Sequence, residues 1–353
     1  MGFCLFRLLN YELDHSKPLR WTVTNYNLTN LLGMISLNTI REAHDRIRPH
    51  IHRTAVLTNQ TIDEQARASL FFKCENFQKI GAFKARGGLN AVLQVAANGE
   101  GNAITTHSSG NHAQAVAFAA RQVGMPAYIV MPRTAPQVKK DAVRGYGAEV
   151  IECEPTLDAR EAGVQAIIEQ TGAVLVHPFD DDRVIAGQAT AAKELIEDYG
   201  LENAHGARPF DLIMAPVGGG GLLSGAALAT HYLSPTTRVV AGEPEGAADA
   251  VLSFRSGKVE KAPFVNTIAD GLLTNLSDRT LAIIRSYVTD ILTVSDAEII
   301  AAMRLIWERM KIIIEPSCAV PLAVVLKHPD QFAGHKIGII LTGGNVDLGK
   351  LPF

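Results

Sequence analysis

Cysteine is scarce in this chain, and the four present, Cys4, Cys74, Cys153 and Cys318, lie far apart with no CxxC pair among them. That spacing excludes a cysteine-built zinc site and offers no disulfide framework, which fits a reducing cytoplasm. Neither sign of charge is in surplus: 33 basic against 36 acidic residues leave a formal charge of −3. A nucleic-acid groove or a polybasic membrane face would need a clear positive excess, so neither is an expected partner and a small molecule is. Long apolar runs are missing too. "AYIVM" and "IGIILTGG" fall far short of the ~20 residues of a membrane helix and end in turn residues, so they read as buried strands. The first 33 residues contain no unbroken secretory core, because Arg7, Glu12 and Asp14 interrupt the apolar positions. Met-Gly at the start lacks the Ser or Thr that N-myristoylation wants at position six, where Phe6 stands. Residues 1–33 therefore read as a poorly ordered tail or as the product of an upstream start before Met34.

What the chain does have is bulk and rhythm. With 353 residues, 47% of them hydrophobic, it can bury a large core as two domains or as one domain with a big insertion. From about residue 68, short β-rich runs alternate with helical patterns: "ASLFFKCE", "GAFKARGGLNAVLQVAA", "NAITT", "NHAQAVAFAARQVG", "AYIVM". That order predicts an α/β fold with open, mostly parallel sheets flanked by helices.

Three strand-ends carry unusual punctuation. "TTHSSGNHAQA" enters a helix through small polar residues, leaving amides suited to an anion. "DLIMAPVGGGGLLSG" does so through Gly218, Gly219, Gly220 and Gly221, which carry no Cβ to keep a phosphate from the backbone amides. The run lacks the Lys-Ser/Thr ending of a nucleoside-triphosphate loop, and the bland alternative is a flexible turn. "IGIILTGGNVDL" ends in Thr342, Gly343, Gly344 and Asn345. Ligands of open parallel sheets bind beyond the carboxyl ends of the strands, so these tips can converge on one crevice. Lys84, in "ENFQKIGAFKARGG", stands among apolar residues and near Arg86. Burial and neighbouring positive charge both favour the neutral amine, and so a nucleophile or base, whereas a lysine beside a turn with its amine in water is the ordinary alternative.

Taken together, "GAFKARGG", "THSSGNHAQA", "PVGGGGLLSG", "GEPEGAAD", "EPSCAVPLA" and "LTGGNVDL" resemble the pyridoxal-phosphate enzymes of the tryptophan-synthase-β fold, fold type II. Within them the motifs are most similar to serine racemases and serine/threonine dehydratases. The likeness begins near residue 34. It implies a two-domain enzyme with residues 34–102 and 181–353 as the large cofactor-binding domain and 103–180 as the small domain carrying the substrate loop. It implies pyridoxal 5'-phosphate on the Schiff-base lysine Lys84, next to Phe83, with the phosphate on Gly218–Gly221. Asn111 matches the residue bonded to the cofactor's ring hydroxyl, Thr342 the hydroxyl facing its pyridine nitrogen, and Glu315 a position near the ring. Ser108, Ser109, Asn111 and His112 match the substrate-carboxylate site, and Ser109 the second acid/base opposite Lys84. Ser109 could also serve simply as a helix N-cap. Glu243, the Ala247 carbonyl and Asp249 match a structural site for Mg²⁺, or for Ca²⁺ or Mn²⁺; bare of the resemblance they read as two surface acids on a loop.

The expected reaction is dehydration of a hydroxy amino acid such as L-serine or L-threonine to a 2-oxo acid and ammonia, with racemisation second and a catalytically silent cofactor-binding protein a distant third. Two departures weigh toward dehydration: Phe179 and Asp180 stand where the mammalian-type racemase pattern has Asn and Gln, and Ala113 replaces a glycine. "SSGNHA" differs from the "TSGNTG" of cysteine-synthase-like enzymes, so β-replacement ranks below both. No C-terminal regulatory domain is expected after "LTGGNVDL". A cytoplasmic homodimer completes the expectation, and His177, Cys153 and Arg160 read as ordinary core or surface residues.

Overall fold

The computed structural model describes residues 35–200 and 208–353, so the expectation for residues 1–33 lies outside the described residues. The chain runs α1 (Leu37–Ile47), β1 (Val56–Leu57), α2 (Gln60–Ala66), β2 (Ser69–Cys74), α3 (Lys84–Asn98), β3 (Ile104–His107), α4 (Asn111–Val123), β4 (Ala127–Pro132), α5 (Gln137–Gly145), β5 (Glu149–Cys153), α6 (Leu157–Thr171) and β6 (Val174–Leu175). It continues through α7 (Asp182–Tyr199), β7 (Leu212–Pro216), α8 (Gly221–Leu233), β8 (Arg238–Pro244), α9 (Asp249–Ser256), α10 (Asp278–Tyr287), β9 (Asp290–Val294), α11 (Asp296–Met310), α12 (Pro316–Lys327), α13 (Pro329–Phe332) and β10 (Lys336–Leu341).

Strands in the order β5-β4-β3-β6 make a four-stranded sheet, parallel throughout. A six-stranded sheet has the order β1-β2-β10-β7-β8-β9, in which β1 alone runs antiparallel to its neighbour. The α/β class and parallel sheets read from the alternation are therefore present. Central strands carry no polar alternation because helices cover both faces: all six residues of β10 and all five of β7 are buried.

Lys84 opens α3, and helix-to-helix contact without side chains between fixes where that opening lies. A Cβ added at Gly187 of α7 would stand 2.6 Å from the Arg86 carbonyl oxygen, and one at Gly225 of α8 2.7 Å from that of Ile185. Backbones of α3, α7 and α8 thus touch, an approach only glycine permits. The turn before α3 is stitched to the end of β10: Phe83 N donates to the Thr342 carbonyl at 2.9 Å, and Gly344 N to that of Gly81 at 2.9 Å.

Beneath this turn lies a buried ionic cluster. Arg86, fully buried, donates to both oxygens of Glu75 (2.6 and 2.8 Å) and of Glu194 (2.9 and 2.8 Å). Lys73 Nζ adds a 2.7 Å bond to Glu194, and His44 Nε2 lies 3.0 Å from the same carboxylate. Each charge has an opposite partner, which is what allows such groups to be dehydrated.

Candidate active site

Lys84 projects from the first turn of α3 into a half-buried space where its Nζ donates to the Pro178 carbonyl at 2.8 Å and lies 5.3 Å from the centre of the Phe83 ring. Burial lowers its pKa from the ordinary 10.5 to about 8. The sequence reading assigned part of this to neighbouring cations; that part is corrected. Arg86 points away from the amine, into Glu75 and Glu194, and burial alone accounts for the shift.

The Pro178 carbonyl belongs to a segment that touches three walls of the site. His177 Nδ1 accepts from the amides of Phe179 (3.3 Å) and Asp180 (2.8 Å), which requires the neutral ring. Burial agrees, lowering its pKa to about 4. The Phe179 ring lies flat on the glycine run: a Cβ at Gly219 would fall 2.2 Å from it. Gly220 caps α8 at φ +87, a left-handed conformation that a side chain would strain, and its face is closed by Leu276 and Thr280. The glycine run is a turn between β7 and α8 walled by Phe179, Leu276 and Thr280.

At the end of β10, Thr342 is buried and its Oγ1 has no hydrogen-bond partner among the described residues. Across from it Asn111, first residue of α4, donates through Nδ2 to Glu315 Oε1 and Oε2 (2.9 and 3.1 Å) and accepts at Oδ1 from Asn345 Nδ2 (2.9 Å). Glu315 precedes α12, and burial pushes its pKa up to about 7 against the opposing Asn111 bond. A Cβ at Gly343 would meet Glu315 at 2.7 Å, so the glycine beside Thr342 makes room for this carboxyl.

The loop before α4 holds the remaining candidates. Ser108 Oγ accepts from Gly110 N at 3.2 Å. The capping alternative for Ser109 is not met, since Gly110 takes the N-cap position of α4 and no side chain caps it. His112 is buried, and its Nε2 lies 3.0 Å from the Val176 carbonyl, which can only accept. The ring proton is therefore on Nε2, leaving Nδ1 a buried lone pair without a partner among the described residues.

Glu243 and Asp249 sit apart from this crevice. They are not the surface acids of the bare sequence reading: their exposures are 1% and 2%. Glu243, in β8, accepts from Ala250 N (2.6 Å) and Val251 N (2.9 Å) at the start of α9. Burial raises it to about 8 and Asp249 to about 6, and Asp249 Oδ2 is a buried oxygen without a partner among the described residues. Ala247 lies buried in the 3₁₀ turn between them.

The sequence pattern of the family described as pyridoxal-phosphate dependent enzymes matches residues 47–343. The chain belongs to that family. It is 50% identical over 312 residues to a β-hydroxyaspartate dehydratase of Paracoccus denitrificans (strain Pd 1222), covering 88% of this chain and 96% of the relative. A serine racemase of Arabidopsis thaliana is 47% identical over 318 residues, 89% of this chain and 94% of its own. The crystal structure of serine racemase from Dictyostelium discoideum superposes with a TM-score of 0.83 at 48% identity, over 89% of this chain and all of that one.

Two features of this crevice fit the cofactor for which the family is named. Thr342 Oγ1 needs a polar partner, which a pyridine nitrogen would supply, and four successive glycines at the turn into α8 place no Cβ of their own between a phosphate and their amides. Three participants escaped the sequence reading. His177 read as core, Asn345 carried no assigned contact, and Pro178 offers only a carbonyl. The tight turn in "HPFDDD" was the one available signal for the first and third.

Proposed function

We propose that this protein removes water from a hydroxy amino acid such as L-serine or L-threonine, releasing a 2-oxo acid and ammonia, with racemisation of the same substrates as a second outcome. The observation that carries this reading is the Lys84 amine, its pKa brought to about 8 by burial, bonded to the carbonyl of Pro178, whose neighbour Phe179 covers the glycine turn, and following Phe83, whose amide is bonded to Thr342. The dehydratase and racemase activities named for the relatives support it.

The bound cofactor supplies an aldehyde and a ring that accepts electron density from the substrate's Cα. The chain does the rest. Lys84 Nζ would hold the cofactor and, as a neutral amine, accept the Cα proton. Amides of Gly218–Gly221 would hold the phosphate. Thr342 would offer a neutral hydroxyl, not a carboxylate, to the ring nitrogen, which favours loss of the β-hydroxyl. Phe83 flanks the amine; Asn111, whose Nδ2 donates to Glu315, would hold the ring hydroxyl, with Glu315 near the ring.

The substrate carboxylate is held by Ser108 Oγ, by Asn111 and by amides at the start of α4. His112 contributes its backbone amide, because a ring with its proton on Val176 presents only a lone pair to an anion. Ser109 Oγ would be the proton carrier on the face opposite Lys84, which permits inversion. Residues 103–180 act as a small domain that closes over the substrate on the large domain, 34–102 with 181–353. The enzyme works in the cytoplasm as a homodimer.

The assay is to incubate the protein with each enantiomer of serine, threonine and 3-hydroxyaspartate and to measure keto acid and enantiomeric ratio together. Keto acid from at least one L-substrate, in excess of its inverted enantiomer, is expected. Rapid loss of optical purity with little keto acid would reverse the order of the two activities.

We further assign a divalent cation, Mg²⁺, Ca²⁺ or Mn²⁺, to Glu243, the Ala247 carbonyl and Asp249. Two buried acids and an unpartnered carboxylate oxygen are the hard ligands such an ion takes. Chelation is expected to lower the melting temperature by several degrees, and Asp249→Asn to remove that response; an unchanged melting curve would discard the site.

A further inference from the structure

We infer that Arg279 is a positioning residue for the reacting amine: by pairing with Asp180 and Asp182 it fixes the 177–182 segment between Lys84 and the glycine turn. This rests on the reading that Lys84 carries the amine that reacts.

The contacts close into a ring. Lys84 Nζ donates to the Pro178 carbonyl, whose direction is set by the paired amides of Phe179 and Asp180 on His177 Nδ1. Phe179 rests on Gly219 with its ring and on Gly221 with its backbone. The other side of the glycine turn, at Gly220, is closed by Leu276, Thr280 and Ile284, which begin and line α10. Arg279, in the first turn of that helix, completes the circuit: its Nη1 donates to Asp182 Oδ1 at 2.8 Å, and its Nε lies 3.2 Å from Asp180 Oδ1, an ion pair by distance in which neither atom makes a hydrogen bond among the described residues. One side chain thus ties the wall behind the phosphate turn to the carbonyl in front of the amine.

The choice of arginine fits the task. A guanidinium presents several donors in one plane and spans two carboxylates at once, which a lysine ammonium on a flexible stem does less well. Arg279 and its partners keep between a fifth and about a third of their side-chain surface in water, so the pairs add little to global stability and act on local geometry. Without them, nothing else among the described contacts anchors Asp180 by its side chain. The segment then swings, Pro178 leaves the amine, and water reaches Lys84. The charges facing that amine are otherwise unaltered, because His112 and His177 are both held neutral by burial.

The test compares Arg279→Met and Arg279→Lys with the wild-type holoenzyme. Four readouts are taken: kcat and KM, the pH dependence of kcat, the rate of cofactor uptake by the apoprotein across pH, and the thermal unfolding curve. Arg279→Met is expected to lower kcat by about 10-fold or more, as sub-ångström to 1 Å misplacement does, while KM changes little. The acidic limb of its kcat and the pH dependence of its cofactor uptake should both move to higher pH, because a better hydrated free lysine holds its proton longer. Arg279→Lys should recover part of each shift, and the melting temperatures of the three proteins should nearly coincide. Wild-type kcat and an unmoved pH dependence of uptake in Arg279→Met would overturn the inference. So would losses that follow a falling melting temperature and are not recovered by Arg279→Lys. If the wild type forms no keto acid, the dehydration reading fails, and the pH dependence of cofactor uptake still decides the role of Arg279.

Discussion

Lys84→Ala is expected to reduce keto acid formation from every hydroxy amino acid by at least about 10³-fold, the upper range for removing a positioned proton carrier. The folded protein should be little affected, because Lys84 makes one hydrogen bond, to the Pro178 carbonyl, and pairs with no carboxylate. Circular dichroism and gel filtration of the variant check this. Turnover within 10-fold of wild type would remove the foundation of the proposed reaction. The wild-type amine adds a pH dependence of defined sign. With a pKa near 8, about one amine in ten is neutral at pH 7, against roughly one in three thousand for an ordinary lysine. Cofactor uptake by apoprotein should therefore slow steadily as pH falls below about 8, and this dependence should vanish in Lys84→Ala.

Arg86→Met should produce the largest loss of stability. The guanidinium makes four bonds to two buried carboxylates, and methionine of comparable length makes none. Glu75 would keep one side-chain bond, from Thr54 Oγ1 at 2.6 Å, and Glu194 would keep Lys73 and His44. Burial alone would raise the pKa of Glu194, yet the His44 bond and the charge of Arg86 hold it well below the usual carboxylate range. Removing the cation leaves an uncompensated buried charge, at a cost of about 3–5 kcal/mol. That is a large fraction of the roughly 5–15 kcal/mol by which a domain is stable. Urea unfolding measures it. Arg86→Met combined with Glu75→Gln should recover part of the loss, whereas a cost under about 1 kcal/mol would mean that the cluster is hydrated.

Parts of this site could be read from the sequence because strand, turn and helix are adjacent there. Lys84 at the head of α3, Gly218–Gly221 between β7 and α8, and Thr342 at the tip of β10 each sit within a few residues of the element that aims them. What escaped depends on partners far along the chain. Arg86 looked like a cation pressing on Lys84 because nothing local indicates Glu194, 108 residues away, as its partner. Glu243 and Asp249 passed for surface acids, since their burial follows from the packing of β8 and α9 and not from their own neighbourhood. The role of "HPFDDD" was hidden for the same reason: Phe179 meets Gly219, 40 residues away, and Asp182 meets Arg279, 97 residues away.

The place of β10 sets the timing of assembly during synthesis. It is the final strand of the chain, yet it lies in the middle of the larger sheet, pairing with β2 through Lys336–Leu341 and with β7 through Ile337–Ile339. Until those residues leave the ribosome, β2 and β7 each present an open edge, and Phe83 has no Thr342 carbonyl to receive its amide. A chain in which β10 has not yet paired therefore leaves two strand edges of this sheet open, and the turn before Lys84 lacks its bond to the end of β10.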